Sequence, residues 1–160
     1  MSERWREQYD RLTRWQARLK EPAPVDDRRL DDYHAFFICC FHLKDWLRAD
    51  PLLSPTIGPA AEAWLNDVKY LRLCADLANA SKHLVIDRKV RIDPNIAVRA
   101  VQGAFQADAF QAGAFQVNDE VIVVADRETY EGTFLVEMCV LNWELFLREH
   151  GLSSPSTSSQ

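Results

Sequence analysis

The apolar positions along the chain fall into two regimes. Before about residue 83 and again after about residue 126 they recur at intervals of three and four, the period of a helix buried along one side. Between those stretches they alternate nearly every second residue, as in strands. A first helix is expected over 3–20, where Trp5, Tyr9, Leu12, Trp15 and Leu19 share a face opposite Arg, Glu and Gln, and the Glu-Pro-Ala-Pro of 21–24 ends it. A second is expected over 26–50, with Asp26 and Asp27 suited to its positive N-terminal end and Pro51 closing it. Its centre, Tyr33 to Leu43, is apolar almost all round, which suits the middle of a bundle or a dimer interface. The third is expected over 59–83, with Trp64, Leu71, Cys74 and Ala78 inward and Ser81, Lys82 and His83 at its end. A last helix over 126–150 carries Tyr130, Phe134, Leu141, Trp143, Leu145 and Phe146 and is stopped by Gly151.

Strands are expected within 84–93, 97–106, 110–117 and 120–126, with turns at Asp93-Pro94-Asn95 and at Asn118-Asp119. In this region Ala-Phe-Gln recurs at 104–106, 109–111 and 114–116, a spacing that fits neither alternation nor a solenoid repeat. The expected fold class is therefore mainly α (α+β): a four-helix bundle with a small antiparallel sheet or hairpins inserted between the third and fourth helices. One domain is expected over 1–151, and the Ser-rich 152–160 reads as a disordered tail.

Composition narrows the function classes. A chain of 160 residues, 48% hydrophobic with only five Gly and seven Pro, can bury a sizeable core without a disulfide or metal. The formal charge of −5 lacks the basic excess of a duplex-DNA binder, so no duplex DNA is expected. The charged start, Met1 to Leu12, lacks the apolar core of a signal peptide, and no apolar run approaches the roughly 18 residues needed to span a bilayer. A cytoplasmic address with no membrane partner is expected. Cys39, Cys40, Cys74 and Cys139 lie in apolar helical patterns without a Cys-x-x-Cys spacing, and read as buried thiols.

Two polar stripes are the candidates for chemistry. On the second helix Asp31, His34, His42 and Asp45 fall within an arc of about 80°. On the third, Lys69, Arg72, Asp76, Asn79 and His83 do the same. Each reads first as a solvated edge; converged, they would supply imidazole, carboxylate, amide and cation for acid–base work, with His42 or His83 as proton carrier. His42 and Asp45 are one turn apart, but a structural zinc needs four ligands and the Glu-x-x-His pairs of di-iron bundles are missing, so neither metal nor cofactor is expected. No Walker loop, Gly-x-Gly-x-x-Gly, Gly-x-Ser-x-Gly or His-Glu-x-x-His occurs.

The segment Ala78-Asn79-Ala80-Ser81-Lys82-His83 resembles the Arg-Asn-x-x-x-His signature of HEPN domains. That resemblance implies a small helical homodimer in a bacterial stress, toxin–antitoxin or phage-defence setting. It also implies metal-independent endoribonuclease chemistry, in which His83 transfers a proton and Asn79 orients it or the scissile phosphate. The signature's Arg position is Ala78, and losing that cation argues against efficient catalysis unless Arg72 or Lys82 replaces it. The stretches from Phe36 to Trp46 and from Leu73 to Leu84 also resemble an uncharacterised family of small bacterial helical proteins, a resemblance that implies no activity. Two readings follow: an RNA-binding or weakly RNA-cleaving HEPN-like domain, or a non-catalytic interaction module, antitoxin-like or an assembly subunit. In the second, aromatic side chains anchor a protein partner and Asn79 and His83 cap the third helix.

Overall fold

The computed structural model describes residues 3–80, 95–102, 117–125 and 127–152. Among these the fold is mainly helical: α1 (Arg4–Lys20), α2 (Asp27–Ala49), α3 (Ile57–Asp67) and α4 (Lys69–Ala80), then strands β1 (Asn95–Gln102), β2 (Val117–Ala125) and β3 (Glu128–Glu131), then α5 (Gly132–Glu149). On α1 the expected inward residues Trp5, Tyr9, Leu12 and Leu19 are buried, and Trp15 packs at the core's edge. Asp26 begins α2 by accepting a hydrogen bond from the Arg29 amide at 2.8 Å. The apolar centre of α2 has a direct cause, since the helix packs against α1, α3, α4 and α5 and keeps Phe36, Phe37, Cys40, Leu43 and Leu47 fully buried.

The single helix expected over 59–83 is two helices. Val68 takes an extended backbone between α3 and α4, although its amide still bonds the Trp64 carbonyl at 3.0 Å. Neither Pro nor Gly marks the break. Asn66 turns its side-chain amide back onto the Glu62 carbonyl at 2.7 Å, and Asn, Asp and a β-branched residue in succession weaken the helix there. The contacts of α2 with α3 and α4 descend on one side as they ascend on the other, so the helices run antiparallel. Glu62 meets Arg48 at 2.6 Å and Lys44 at 3.5 Å, and Cys74 reaches the Phe37 carbonyl.

The three strands form one antiparallel sheet in the order β1-β2-β3, with Val98 opposite Val121 and Val123 opposite Tyr130. Two expectations are corrected here. Asn118 and Asp119 lie within β2, paired with Val101 and Ala100, because the alternating run of apolar residues carries the ladder through them. Residues 128–131 are a strand and not the start of the last helix: Arg127, at a φ of 70°, reverses the chain so that Glu128 pairs with Ala125. The expected strand at 84–93, most of that at 110–117 and the Ala-Phe-Gln repeat lie outside the described residues.

The last helix therefore starts at Gly132, and the Glu131 carboxylate caps it by accepting from the amides of Thr133 at 2.9 Å and Phe134 at 2.8 Å. A Cβ at position 132 would lie 2.8 Å from the Tyr33 ring and 2.9 Å from the Val121 carbonyl, so glycine lets α5 touch both α2 and the sheet. At the other end Gly151, with a φ of 70°, donates to the Arg148 carbonyl while Leu152 donates to that of Leu147 at 2.7 Å. This is a Schellman closure. Leu152, assigned from sequence to the tail, thus belongs to the packed unit, where it rests against the core. No helix among the described residues is long and apolar enough to cross a membrane.

Candidate functional site

Of the α2 stripe, the fold joins His42 to Asp45. The His42 Nδ1 lies 2.9 Å from an Asp45 carboxylate oxygen, and Lys44 reaches the other oxygen at 2.8 Å. Burial opposes the charge on Asp45, but the hydrogen bonds from Lys44 and His42 outweigh it and hold the carboxyl below its usual range. Lys44 and Arg48 continue the chain of charges to Glu62, so this group is a surface ion network linking α2 to α3. Asp31 is exposed, one turn from His34. His34 is half-buried, and its Nδ1 is enclosed without a hydrogen-bond partner among the described residues.

On α4, Lys69 is drawn to the sheet: it pairs with Glu128 at 2.8 Å and lies over the Tyr130 ring. Arg72, Asp76 and Asn79 are half-buried along the same side of α4, while Ala78 is 1% exposed and faces the core. His83 and Lys82 lie outside the described residues. The two stripes run past each other in opposite directions, so their individual members meet at different heights. Because Cys74 is level with Phe37 in an antiparallel pair, Asn79 comes level with about residue 32, roughly 15 Å along α2 from His42 at 1.5 Å per residue. The His42–Asp45 pair and Asn79 therefore do not share one constellation.

Sequence reading missed how α2 closes both ends of α1. Asp50, buried just past the end of α2, accepts from the Trp5 amide at 3.1 Å and from the Leu52 amide at 3.0 Å, which caps the α1 N-terminus from another helix. Arg29, buried near the start of α2, donates through its guanidinium to the carbonyls of Arg18 at 3.0 Å, Leu19 at 2.5 Å and Glu21 at 3.0 Å. Negative charge thus meets the N-terminus of α1 and positive charge its C-terminus, as the helix dipole favours. Beside Asp50 a cleft of about 250 Å³ is lined by Arg4, Asp45, Trp46, Ala49 and Asp50, and the guanidinium groups of Arg4 and Arg11 lie 5.8 Å from the Trp46 ring.

The cysteines show a second convergence that their spacing hid. All four are free thiols; Cys39 is half-buried, whereas Cys40 from α2, Cys74 from α4 and Cys139 from α5 are buried with their sulfur atoms all within 4.8 Å of one another. Cys74 and Cys139 have backbone carbonyls in reach, Phe37 at 3.4 Å and Tyr70 at 3.5 Å. Burial drives both thiols well above the usual range. Burial pushes the Cys40 thiol up as well, but the neighbouring Cys139 and Cys74 thiols outweigh it and hold Cys40 low. The Trp143 Nε1 is itself buried without a regular hydrogen bond.

Compared with known proteins, the chain matches no protein-family model, no curated protein and no solved structure.

Proposed function

We propose that this chain is a non-catalytic helical assembly module that pairs with a second copy of itself along α5. One observation carries the reading: Phe134 and Leu141, seven residues apart on one stripe, are 42% and 44% exposed, although the opposite side of α5 lies in the core. With half-buried Met138 and Leu145 they form a seam spaced four, three and four, the repeat of a helix pair. The seam is self-complementary under a two-fold axis, which sets Phe134 of each copy against Leu145 of the other and Met138 against Leu141. α1, α2, the broken α3–α4 rod and α5 are then the four members of a bundle whose outer seam is the interface. A single helix pair buries an area at the low end of specific interfaces, so the dimer is expected to dissociate on dilution.

Light scattering across a concentration series tests this. Wild type is expected to shift towards dimer as concentration rises and Leu141→Glu to stay monomeric with unchanged helicity. A wild type monomeric throughout, or an equally dimeric variant, would sink the reading.

A second reading, RNA binding in a bacterial stress or phage-defence setting, draws on the α4 stripe. Arg72 lies on the same stripe as Asn79, two turns or roughly 10 Å before it. The core position of Ala78 leaves no room for the cation of the HEPN-like signature there, which favours binding over efficient cleavage. Incubating purified protein with mixed RNA under chelation, beside His83→Ala and Arg72→Ala, separates the two. Cleavage lost in folded His83→Ala would establish a nuclease, and RNA retention lost only in Arg72→Ala a binder.

A further inference from the structure

We propose that Cys40, Cys74 and Cys139 form a three-sulfur site for one monovalent soft metal ion of the copper(I) class, at the junction of α2, α4 and α5. The sulfurs come from three helices, yet all lie within 4.8 Å of one another. A trigonal ion at the roughly 2.3 Å typical of a metal–thiolate bond sets its ligands about 4.0 Å apart, within reach of small side-chain rotations. The donor set is sulfur alone. Soft thiolates select copper(I), zinc or iron–sulfur clusters, and zinc and iron–sulfur sites want four ligands, so three sulfurs fit a three-coordinate monovalent ion best.

The surroundings support the assignment. Trp143, fully buried on α5 one turn after Cys139, has an indole N–H with no regular acceptor. A metal-bound thiolate gives that N–H a charged acceptor, the outer-shell donor that metal sites use to tune their ligands. Cys39 follows another course: one residue from Cys40, it is turned about 100° around α2, is half-buried, and its backbone carbonyl accepts from Gln8 at 2.8 Å. It is the internal control. Binding exchanges thiol protons for the cation, the protons leaving to solvent with no change of oxidation state. With all three ligands buried there is no open coordination position, so the site retains an ion and does not catalyse.

The test loads reduced, full-length protein anaerobically with copper(I) from a bicinchoninate complex, then counts metal retained after gel filtration. One ion per chain, retained by Cys39→Ser but lost from folded Cys74→Ala and Cys139→Ala, is the expected result. Trp143→Phe is expected to weaken retention roughly 10- to 100-fold. Loading is also expected to quench tryptophan fluorescence in wild type and Cys39→Ser but much less in Trp143→Phe, a readout that stands if the cysteine variants fail to fold. No ion retained by wild type or equal retention by folded Cys74→Ala would overturn the assignment and leave the sulfurs as small apolar packing groups, and a preference for zinc(II) would overturn the choice of a monovalent ion.

Discussion

Along its flank with α1, helix α2 works with charge: buried Asp50 closes the start of α1 and buried Arg29 closes its end. Along its flank with α4 and α5 the same helix presents Phe36, Phe37 and Cys40 to an interior of sulfur and aromatic rings, where Trp143 meets Phe146 edge-on at 5.7 Å. The two flanks should fail differently. On the apolar side a lesion costs what the lost volume and cavity dictate. On the charged side it costs what is left unpaired, because a buried carbonyl or amide that loses its partner keeps its desolvation penalty.

Trp143→Ala should have the largest effect, about 3–5 kcal/mol by urea denaturation. Trp143→Phe, which removes the unbonded N–H and only part of the volume, should cost less than about 1.5 kcal/mol. Equal losses in the two would mean that the indole N–H contributes more than its volume. Next, Arg29→Met keeps the apolar stem but leaves three carbonyls unserved, for an expected loss of about 2–3 kcal/mol; a loss near zero would show that water replaces the guanidinium and that the flanks do not differ. Asp50→Ala should cost about 1–2 kcal/mol, the range for a helix cap, with amide exchange accelerated first at Trp5.

The smallest effect belongs to Asp45. Its carboxyl is held low, so its stabilisation is present at neutral pH and is lost as pH falls below the ordinary carboxylate value of about 3.9 and through the lowered folded-state value. With the side chain 43% exposed, solvent screening limits this to under about 0.5 kcal/mol. Wild type should exceed Asp45→Asn in urea midpoint at pH 7, and the gap should close as pH falls through the lowered carboxylate range. A gap that widened on acidification would reverse the sign.

Where local chemistry decides, the sequence was legible. The spacing of Trp5, Tyr9, Leu12 and Leu19 fixes the buried side of α1, Asp26 and Pro51 bracket α2, and Gly151 marks the end of α5. Where two chemistries compete locally, it was less so. Asn66 and Val68 carry a break that reads as helix because Trp64, Leu71 and Cys74 keep the helical period across it. Glu128 to Glu131 contains no strong helix or strand signal of its own and is recruited by pairing with β2. Phe134 and Leu141 show the limit of apolar patterning, for the helical pattern groups them with Trp143 and Phe146, which are buried, and yet they face out. α5 is apolar on more than one side, and periodicity alone cannot say which side meets α2.

By itself the sequence determined the mainly helical class, the apolar centre of α2 and the apolar setting of the cysteines, because period and composition act within one or two turns of chain. The tertiary structure decided what lies 34 to 135 residues apart in the chain: Asp50 on the amide of Trp5, Tyr9 on Glu144, and three cysteine sulfurs brought within 4.8 Å. It also decided that His42 and Asn79 lie at different heights along α2. Such pairings depend on how helices are oriented and offset when their apolar faces pack, a choice that no local spacing encodes.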